Sequence, residues 1–282
     1  MSRFKVFLEA VKFEHTVFAL PFAYLGMTVA ERKWPSLKIF ILVTLAMASA
    51  RSAAMLLNRL IDLKFDARNP RTSRRPIVTG ESPLAVAWTG VGICAVLFFL
   101  STWFLNPLCV KLSPIALVLL TGYSYVKRFS LACHFVLGMV LSIAPFGGWI
   151  AVTGVFSWIP VLLSLAILFW VGGFDIIYSL QDLEFDRSQG LHSIPVSFGE
   201  KTALRISGLS HAAAISFFAF FGLAAHLGWV YWVGVGLVAV LLKIEHRLVE
   251  EGDLSKIDTA FFTINGWIGI LLFIFTFLEI YR

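Results

Sequence analysis

Apolar runs of close to twenty residues recur along this chain of 282 residues, and they decide what solvent the chain can fold in. About 20 consecutive apolar residues make a helix that crosses the hydrocarbon core of a bilayer. Only a helix or a closed barrel satisfies its backbone polar groups there without water. The runs fall near 13–30, 37–60, 83–105, 112–126, 132–153, 158–179, 203–227, 229–244 and 260–280, which predicts nine helices. Charged residues make up only 14% of the chain and the mean hydropathy is +0.84, whereas a soluble domain carries about 25% charge. A soluble protein with a very large core is therefore excluded. The expected fold class is all-α, a polytopic integral membrane protein. Its solvent is in part the lipid bilayer.

The net charge of +6 does not point to nucleic acid, because the basic residues sit in the loops between apolar runs. With the N-terminus cytoplasmic, 18 of the 23 Lys and Arg fall on the cytoplasmic side. Arg32, Lys33, Lys38, Lys111 and Arg282 are the rest. That asymmetry predicts an inner-membrane protein with its N-terminus in and its C-terminus out. Residues 1–12 read as an amphipathic lead-in at the interface. The first apolar run is long and has no small-residue cleavage site, so it reads as a span and not as a signal peptide. Cys94, Cys109 and Cys133 lie in or beside apolar runs without ligand spacing and read as small buried hydrophobes.

Two acidic clusters stand out against this background. The first is Asn58-x-x-x-Asp62-x-x-x-Asp66, with Lys64, Arg68, Arg71, Arg74 and Arg75 in or just beyond it. The second is Asp175-x-x-Tyr178-x-x-Gln181-Asp182-x-x-x-Asp186. At 100° per residue, Arg51, Asn58, Asp62 and Asp66 fall within about 80° of one another on a continuous helix, and so do Asp175, Tyr178, Asp182 and Asp186. Each cluster follows the second helix of a four-helix block, so both lie on the cytoplasmic side. This suggests two similar blocks, about 13–126 and 132–244, plus a last helix at 260–280, with the site at the block interface.

Paired carboxylates from two helices would repel strongly without a cation between them. Mg²⁺ fits, because it takes few protein carboxylates and completes its octahedron with water and substrate phosphate. A diphosphate is the natural partner, and nearby Arg and Lys would hold its remaining oxygens. If such a diphosphate is the leaving group of an allylic chain, metal and cations would stabilise its charge, and aromatic walls would stabilise the allyl cation. Arg51 lies about 10 Å deeper than Asn58 at 1.5 Å per residue. An arginine inside an apolar run faces a polar cavity, where it would bind an acidic co-substrate.

At these residues the chain resembles the UbiA superfamily of membrane prenyltransferases. The first cluster, continued by Asn69-x-Arg71-Thr72 and Arg74 or Arg75-Pro76, is similar to that family's first motif, and the second cluster to its second. Tyr123-Ser124-Tyr125-Val126-Lys127-Arg128 and Gly190-Leu191-His192-Ser193-Ile194-Pro195 also resemble it. Arg59 stands where many relatives have Asp. The resemblance implies helices around a central cavity, Mg²⁺ and a polyprenyl diphosphate donor. It implies that Asn58, Asp62, Asp66, Asp182 and Asp186 hold Mg²⁺-diphosphate, and that Arg71, Arg75, Lys127 and Arg128 bind the diphosphate. Arg51 and Tyr178 would face an aromatic carboxylate acceptor, and Asp175 would support the metal site or steer the acceptor. Asp62, Asp182 and Asp175 are the candidate catalytic acids. Within the family the chain most resembles the 4-hydroxybenzoate polyprenyltransferase-like members, which implies 4-hydroxybenzoate as the acceptor. The start from Lys12-Phe13-Glu14-His15 resembles a subgroup whose acceptor would instead be 1,4-dihydroxy-6-naphthoate. Glu14 and His15 would stand at the cytoplasmic mouth, where His15, like His192, reads as structural. No obligate protein partner is expected.

A secondary transporter is the rival of a different class, but its site would lie at the midplane in broken helices, whereas these acids cluster at helix ends. A CDP-alcohol phosphotransferase would carry a glycine-alanine-arginine signature between its acids, which this chain lacks.

Overall fold

The protein is described here from a computed structural model, which covers the backbone of residues 13–249 and 253–282 and the side chains from residue 20 onward within them. The expected lead-in at 1–12 and the side chains of Glu14 and His15 lie outside the described residues. The helices in chain order are α1 (Phe13–Glu31), α2 (Leu37–Ile61), α3 (Leu63–Asp66), α4 (Pro76–Thr79), α5 (Leu84–Leu105), α6 (Pro107–Val126), α7 (Cys133–Thr153), α8 (Ile159–Ser179), α9 (Leu183–Ser188), α10 (Ile194–Phe198), α11 (Glu200–Ala224), α12 (Trp229–Leu248) and α13 (Asn265–Tyr281). A 3₁₀ turn, Leu180–Asp182, joins α8 to α9, and a π-helical turn, Thr259–Ile264, leads into α13. Eight helical segments among the described residues are long and apolar enough to cross a membrane, and the 19-residue α1 packs beside them. The long helices therefore follow the nine apolar runs, and the chain is a multi-pass membrane protein.

Boundaries move where capping chemistry overrides hydropathy. The run read as 112–126 is a helix from Pro107. Asn106 caps it, accepting from the backbone N–H of Leu108 at 3.1 Å and of Cys109 at 3.0 Å. Proline suits the first helical position because its missing N–H would be unpaired there anyway. Lys111 hides this start by interrupting the apolar run.

Large apolar side chains such as Trp158, Leu209 and Val118 are exposed on the outer surface, which is stable only against lipid. Inside the bundle, helices approach through small residues, the usual device where lipid removes any hydrophobic drive between spans. Gly26 of α1 lies on the backbone of Pro145 in α7, and Gly148 of α7 lies on the carbonyl of Ala23 in α1. A Cβ at either glycine would collide with backbone that cannot turn away. Gly26→Ala should therefore destabilise the bundle by about 1–3 kcal/mol, the usual cost of overpacking. A melting temperature in detergent equal to that of the unmodified protein would contradict this packing.

Candidate active site

Both acidic motifs sit where a long helix ends and a short one begins. α2 stops at Ile61, Asp62 caps the break, and α3 carries Asp66. α8 gives way to the 3₁₀ turn that holds Asp182, and α9 carries Asp186. The helices do not run unbroken through the motifs as the angular argument assumed. The breaks are mild enough that Arg51, Asn58, Asp62 and Asp66 form one wall and Asp175, Tyr178, Asp182 and Asp186 a second that faces the same space. All eight line one cavity of about 330 Å³.

The first wall is held by a compact charge network. Asp62, 3% exposed, meets Lys127 Nζ at 3.3 Å and Arg128 at 3.2 Å, and accepts from Asn58 Nδ2 at 3.1 Å. The same Asn58 amide also donates to Ser124 Oγ at 3.1 Å, tying α2 to α6. Arg128 donates to the carbonyl of Ile61 at 2.8 Å, and its guanidinium lies over the rings of Tyr125 and Phe65. It grips Asp62 from behind and is not among the cavity's lining residues. Asp66, 7% exposed, pairs with Arg75 at 2.5 Å.

The loop after α3 carries the link to the second wall. Asn69 Nδ2 donates to Asp182 Oδ1 at 2.9 Å, while Asn69 Oδ1 accepts from the Arg71 backbone N–H at 2.9 Å. Arg71 then forks onto Asp182, with Nε at 3.0 Å from Oδ1 and a terminal nitrogen at 2.5 Å from Oδ2. Such a fork matches carboxylate geometry and is among the stronger protein hydrogen bonds. Burial opposes the charge on Arg71, but these bonds and the Asp182 charge outweigh it and raise its pKa above the ordinary guanidinium value. A further Arg71 nitrogen donates to the Tyr178 hydroxyl at 3.2 Å, so Tyr178 is engaged at the charged end of the cavity. Asp186 lines the cavity one turn beyond Asp182. Asn69 bridges the two motifs, a role that its place in the first motif did not reveal.

Sequence reasoning missed His134. It is 2% exposed, and its Nδ1 lies 2.7 Å from Asp175 Oδ2. Its Nε2 accepts from the Ile194 backbone N–H at 3.3 Å, so the proton sits on Nδ1 and is donated to Asp175. The ring fixes the carboxylate and also anchors the Gly190–Pro195 segment. That segment has a second tie, from the His192 N–H to the Lys127 carbonyl at 2.7 Å. Cys133, expected to be buried, is only partly so and lines the cavity near His192.

Deeper in the cavity the walls turn apolar and aromatic. Tyr178 stacks on Phe261 at 4.0 Å between centroids, Phe261 meets Phe174 at 5.3 Å, and Phe174 meets Trp170 at 5.2 Å. Arg51 also lines the cavity, and its Nε has no hydrogen-bond partner among the described residues.

These groups suit a divalent cation that brings its own anion. Among the described residues, no group of three or more His, Cys, Asp or Glu could hold a metal ion alone. Asp62, Asp66 and Asp182 each face an internal cation instead. Mg²⁺ typically takes one or two carboxylates and completes its shell with substrate phosphate. A hard-oxygen donor set interleaved with Arg and Lys fits that pattern.

The chain is similar to known proteins over most of its length. The chain is 30% identical over 249 residues to a 4-hydroxybenzoate octaprenyltransferase of Shewanella pealeana, covering 88% of this chain and 86% of that protein. It is 27% identical over 285 residues to the protein of the same name from Burkholderia ambifaria, covering 97% and 94%. Among solved structures, the apo form of a UbiA homolog from Aeropyrum pernix K1 superposes with a TM-score of 0.86 at 34% identity, over 95% of this chain and 98% of that one. A UbiA homolog from Archaeoglobus fulgidus bound to DMAPP and Mg²⁺ shares the fold, with a TM-score of 0.76 at 21% identity over 98% and 99%. The family model described as UbiA prenyltransferase family matches residues 19–268, most of the chain. The chain belongs to the UbiA prenyltransferase family.

Proposed function

We propose that the protein transfers a polyprenyl group from a polyprenyl diphosphate to a ring carbon of 4-hydroxybenzoate, in respiratory quinone biosynthesis. The observation that carries this reading is the division of the cavity. One end interleaves carboxylates with Arg and Lys, aromatic side chains line the wall beyond it, and Arg51 adds a buried nitrogen with no partner among the described residues. These three groups suit a diphosphate, an allylic chain and an aromatic carboxylate. The names of the Shewanella and Burkholderia relatives support this donor and acceptor pair.

Mg²⁺ would be held by Asn58, Asp62, Asp66, Asp182 and Asp186, and when bound it supplies charge stabilisation to the leaving diphosphate. Arg71, Arg75 and Lys127 would stabilise the same charge as the carbon–oxygen bond breaks, and Arg128 would hold Asp62 in place. The aromatic faces of Phe174 and Phe261, with Tyr178, line the space where the allylic carbon becomes cationic. A ring carbon of the acceptor then forms the new bond. Asp175, oriented by His134, receives the proton that the ring loses. The carboxylate of the acceptor pairs with Arg51. The excess of Lys and Arg in loops on one side supports an inner-membrane placement with the site facing the cytoplasm.

The direct test is turnover by purified protein in detergent with Mg²⁺ and geranyl diphosphate, offering 4-hydroxybenzoate and 1,4-dihydroxy-6-naphthoate separately. Product from 4-hydroxybenzoate is expected. Product from the naphthoate alone would reassign the acceptor, and no product from either with an intact fold would overturn the reaction. Arg51→Ala should raise the acceptor KM about tenfold or more, as loss of a charge-assisted hydrogen bond implies. The donor KM should hold. An unmoved acceptor KM would remove Arg51 from that role.

A further inference from the structure

The site as described makes no use of a second buried polar chain behind the aromatic wall. Trp170 lies 12 residues before Asp182, or about 18 Å deeper at 1.5 Å per residue. Its indole N–H donates to Asn265 Oδ1 at 2.8 Å. Asn265 Nδ2 in turn donates to Glu245 Oε1 at 2.9 Å. Trp170 and Asn265 line the cavity, whereas Glu245 is 0% exposed within a membrane-spanning helix behind them.

A carboxyl group in that position is costly. Its burial without a close cation disfavours the fold. No compensation is visible at its other oxygen: Oε2 has no hydrogen-bond partner among the described residues, and His211 Nδ1 stands 3.9 Å away. A leucine would pack there without that cost. What it would not do is accept from Asn265. With Glu245 in place the Asn265 amide has one orientation, Oδ1 toward Trp170 and Nδ2 toward Glu245. The carbonyl of Ala260 takes the same amide nitrogen at 3.2 Å, and Ala260 belongs to the π-helical turn just before α13. Single π turns inside helices recur at functional sites. The clamp thus fixes an indole that stands between Phe22 and Phe174, with centroids at 5.1 Å and 5.2 Å.

We propose that Trp170, held by the Asn265–Glu245 clamp, is a specificity-determining residue that fixes the path of the prenyl chain beyond its first units and so selects chain length. This rests on the prenyl-donor reading above. The indole is a rigid wall because both of its anchors are buried. Released, it can turn about its side-chain bonds and change the shape of the cavity where longer chains run. Shorter chains meet less of it.

The test compares the unmodified protein with Glu245→Gln, Glu245→Leu, Asn265→Leu and Trp170→Phe, in detergent with Mg²⁺. It measures Kd for geranyl and geranylgeranyl S-thiolodiphosphates, and kcat/KM for the matching diphosphates with 4-hydroxybenzoate. Glu245→Leu, Asn265→Leu and Trp170→Phe should change the geranylgeranyl-to-geranyl ratio by about tenfold, the scale on which apolar pockets discriminate chain size. Glu245→Gln retains an oxygen that accepts from Asn265, so it should keep the original ratio, and a merely structural carboxyl would show no such rescue. Each ratio is taken within one variant, so partial loss of folded protein cancels. Trp170→Phe keeps an aromatic ring and is the arm least prone to misfold. An unchanged ratio in all three disrupting variants overturns the proposal. If the unmodified protein binds both analogues but transfers to no acceptor, the acceptor reading falls while the binding ratio still decides this one. If it binds neither analogue, both fall.

Discussion

Asp182→Asn should lower prenyl transfer by about a thousandfold, the scale seen when one preorganised electrostatic group is removed from a transition state. Its effect on stability should be small. The Arg71–Asp182 pair is only partly buried, and such pairs contribute about 0–1 kcal/mol. Losing function without losing fold is what separates a reaction role from a structural one. In the variant, an amide replaces one carboxylate oxygen and turns a donor toward the Arg71 fork. Asp62→Asn should abolish turnover as well, but Asp62 sits deeper, between Lys127 and Arg128. Removing the charge from a buried pair costs about 3–5 kcal/mol, so that variant mixes two effects. The measurement is initial rate at saturating donor and acceptor, beside a melting curve in the same detergent. Near-normal rates in both variants would sink the assignment of these acids to the Mg²⁺-diphosphate site.

His134→Phe should reduce kcat about a hundredfold, the lower range attributed to positioned proton transfer. Phenylalanine fills the ring volume but leaves Asp175 without its donor and the Ile194 N–H without an acceptor. Asp175→Asn should cost a similar factor. The two residues act as one unit, so the double variant should be little worse than either single one, giving a coupling energy of the kind that contacting residues show. Independent, multiplying effects would show that His134 does not work through Asp175.

The spans were legible because lipid imposes a length and an apolar composition that a sequence displays directly. Helix starts were less so. Lys111 breaks the apolar run of α6, and only the Asn106-Pro107 cap signals where it begins. The signatures around Asp62 and Asp182 were legible because period-four spacing puts acids on one face, and the mild breaks at both helix ends leave that face almost intact. Partners distant in sequence were not. Nothing near His134 points to Asp175, 41 residues away, and a lone histidine in an apolar run reads as a buried polar residue. Asn69 reaching Asp182 spans 113 residues, and only the packing of the helices brings them together. Glu245 escaped attention because it follows the short apolar run 229–244, where a charged residue reads as the end of a span.

The pairing of Asp62, Asp66 and Asp182 with Lys127, Arg75 and Arg71 has a consequence for how such a cavity fills. Before anything arrives, each acid already has its counter-charge, so the resting site works like an ion-exchange resin and not like a vacant charged hole. On the proposed reading, an incoming diphosphate would compete with the carboxylates for the same guanidinium and ammonium groups, and every cation it captured would free an acid for the metal that travels with it. Loading would then be a trade of partners at nearly constant total charge, which would spare the membrane interior the burial of new, uncompensated ions.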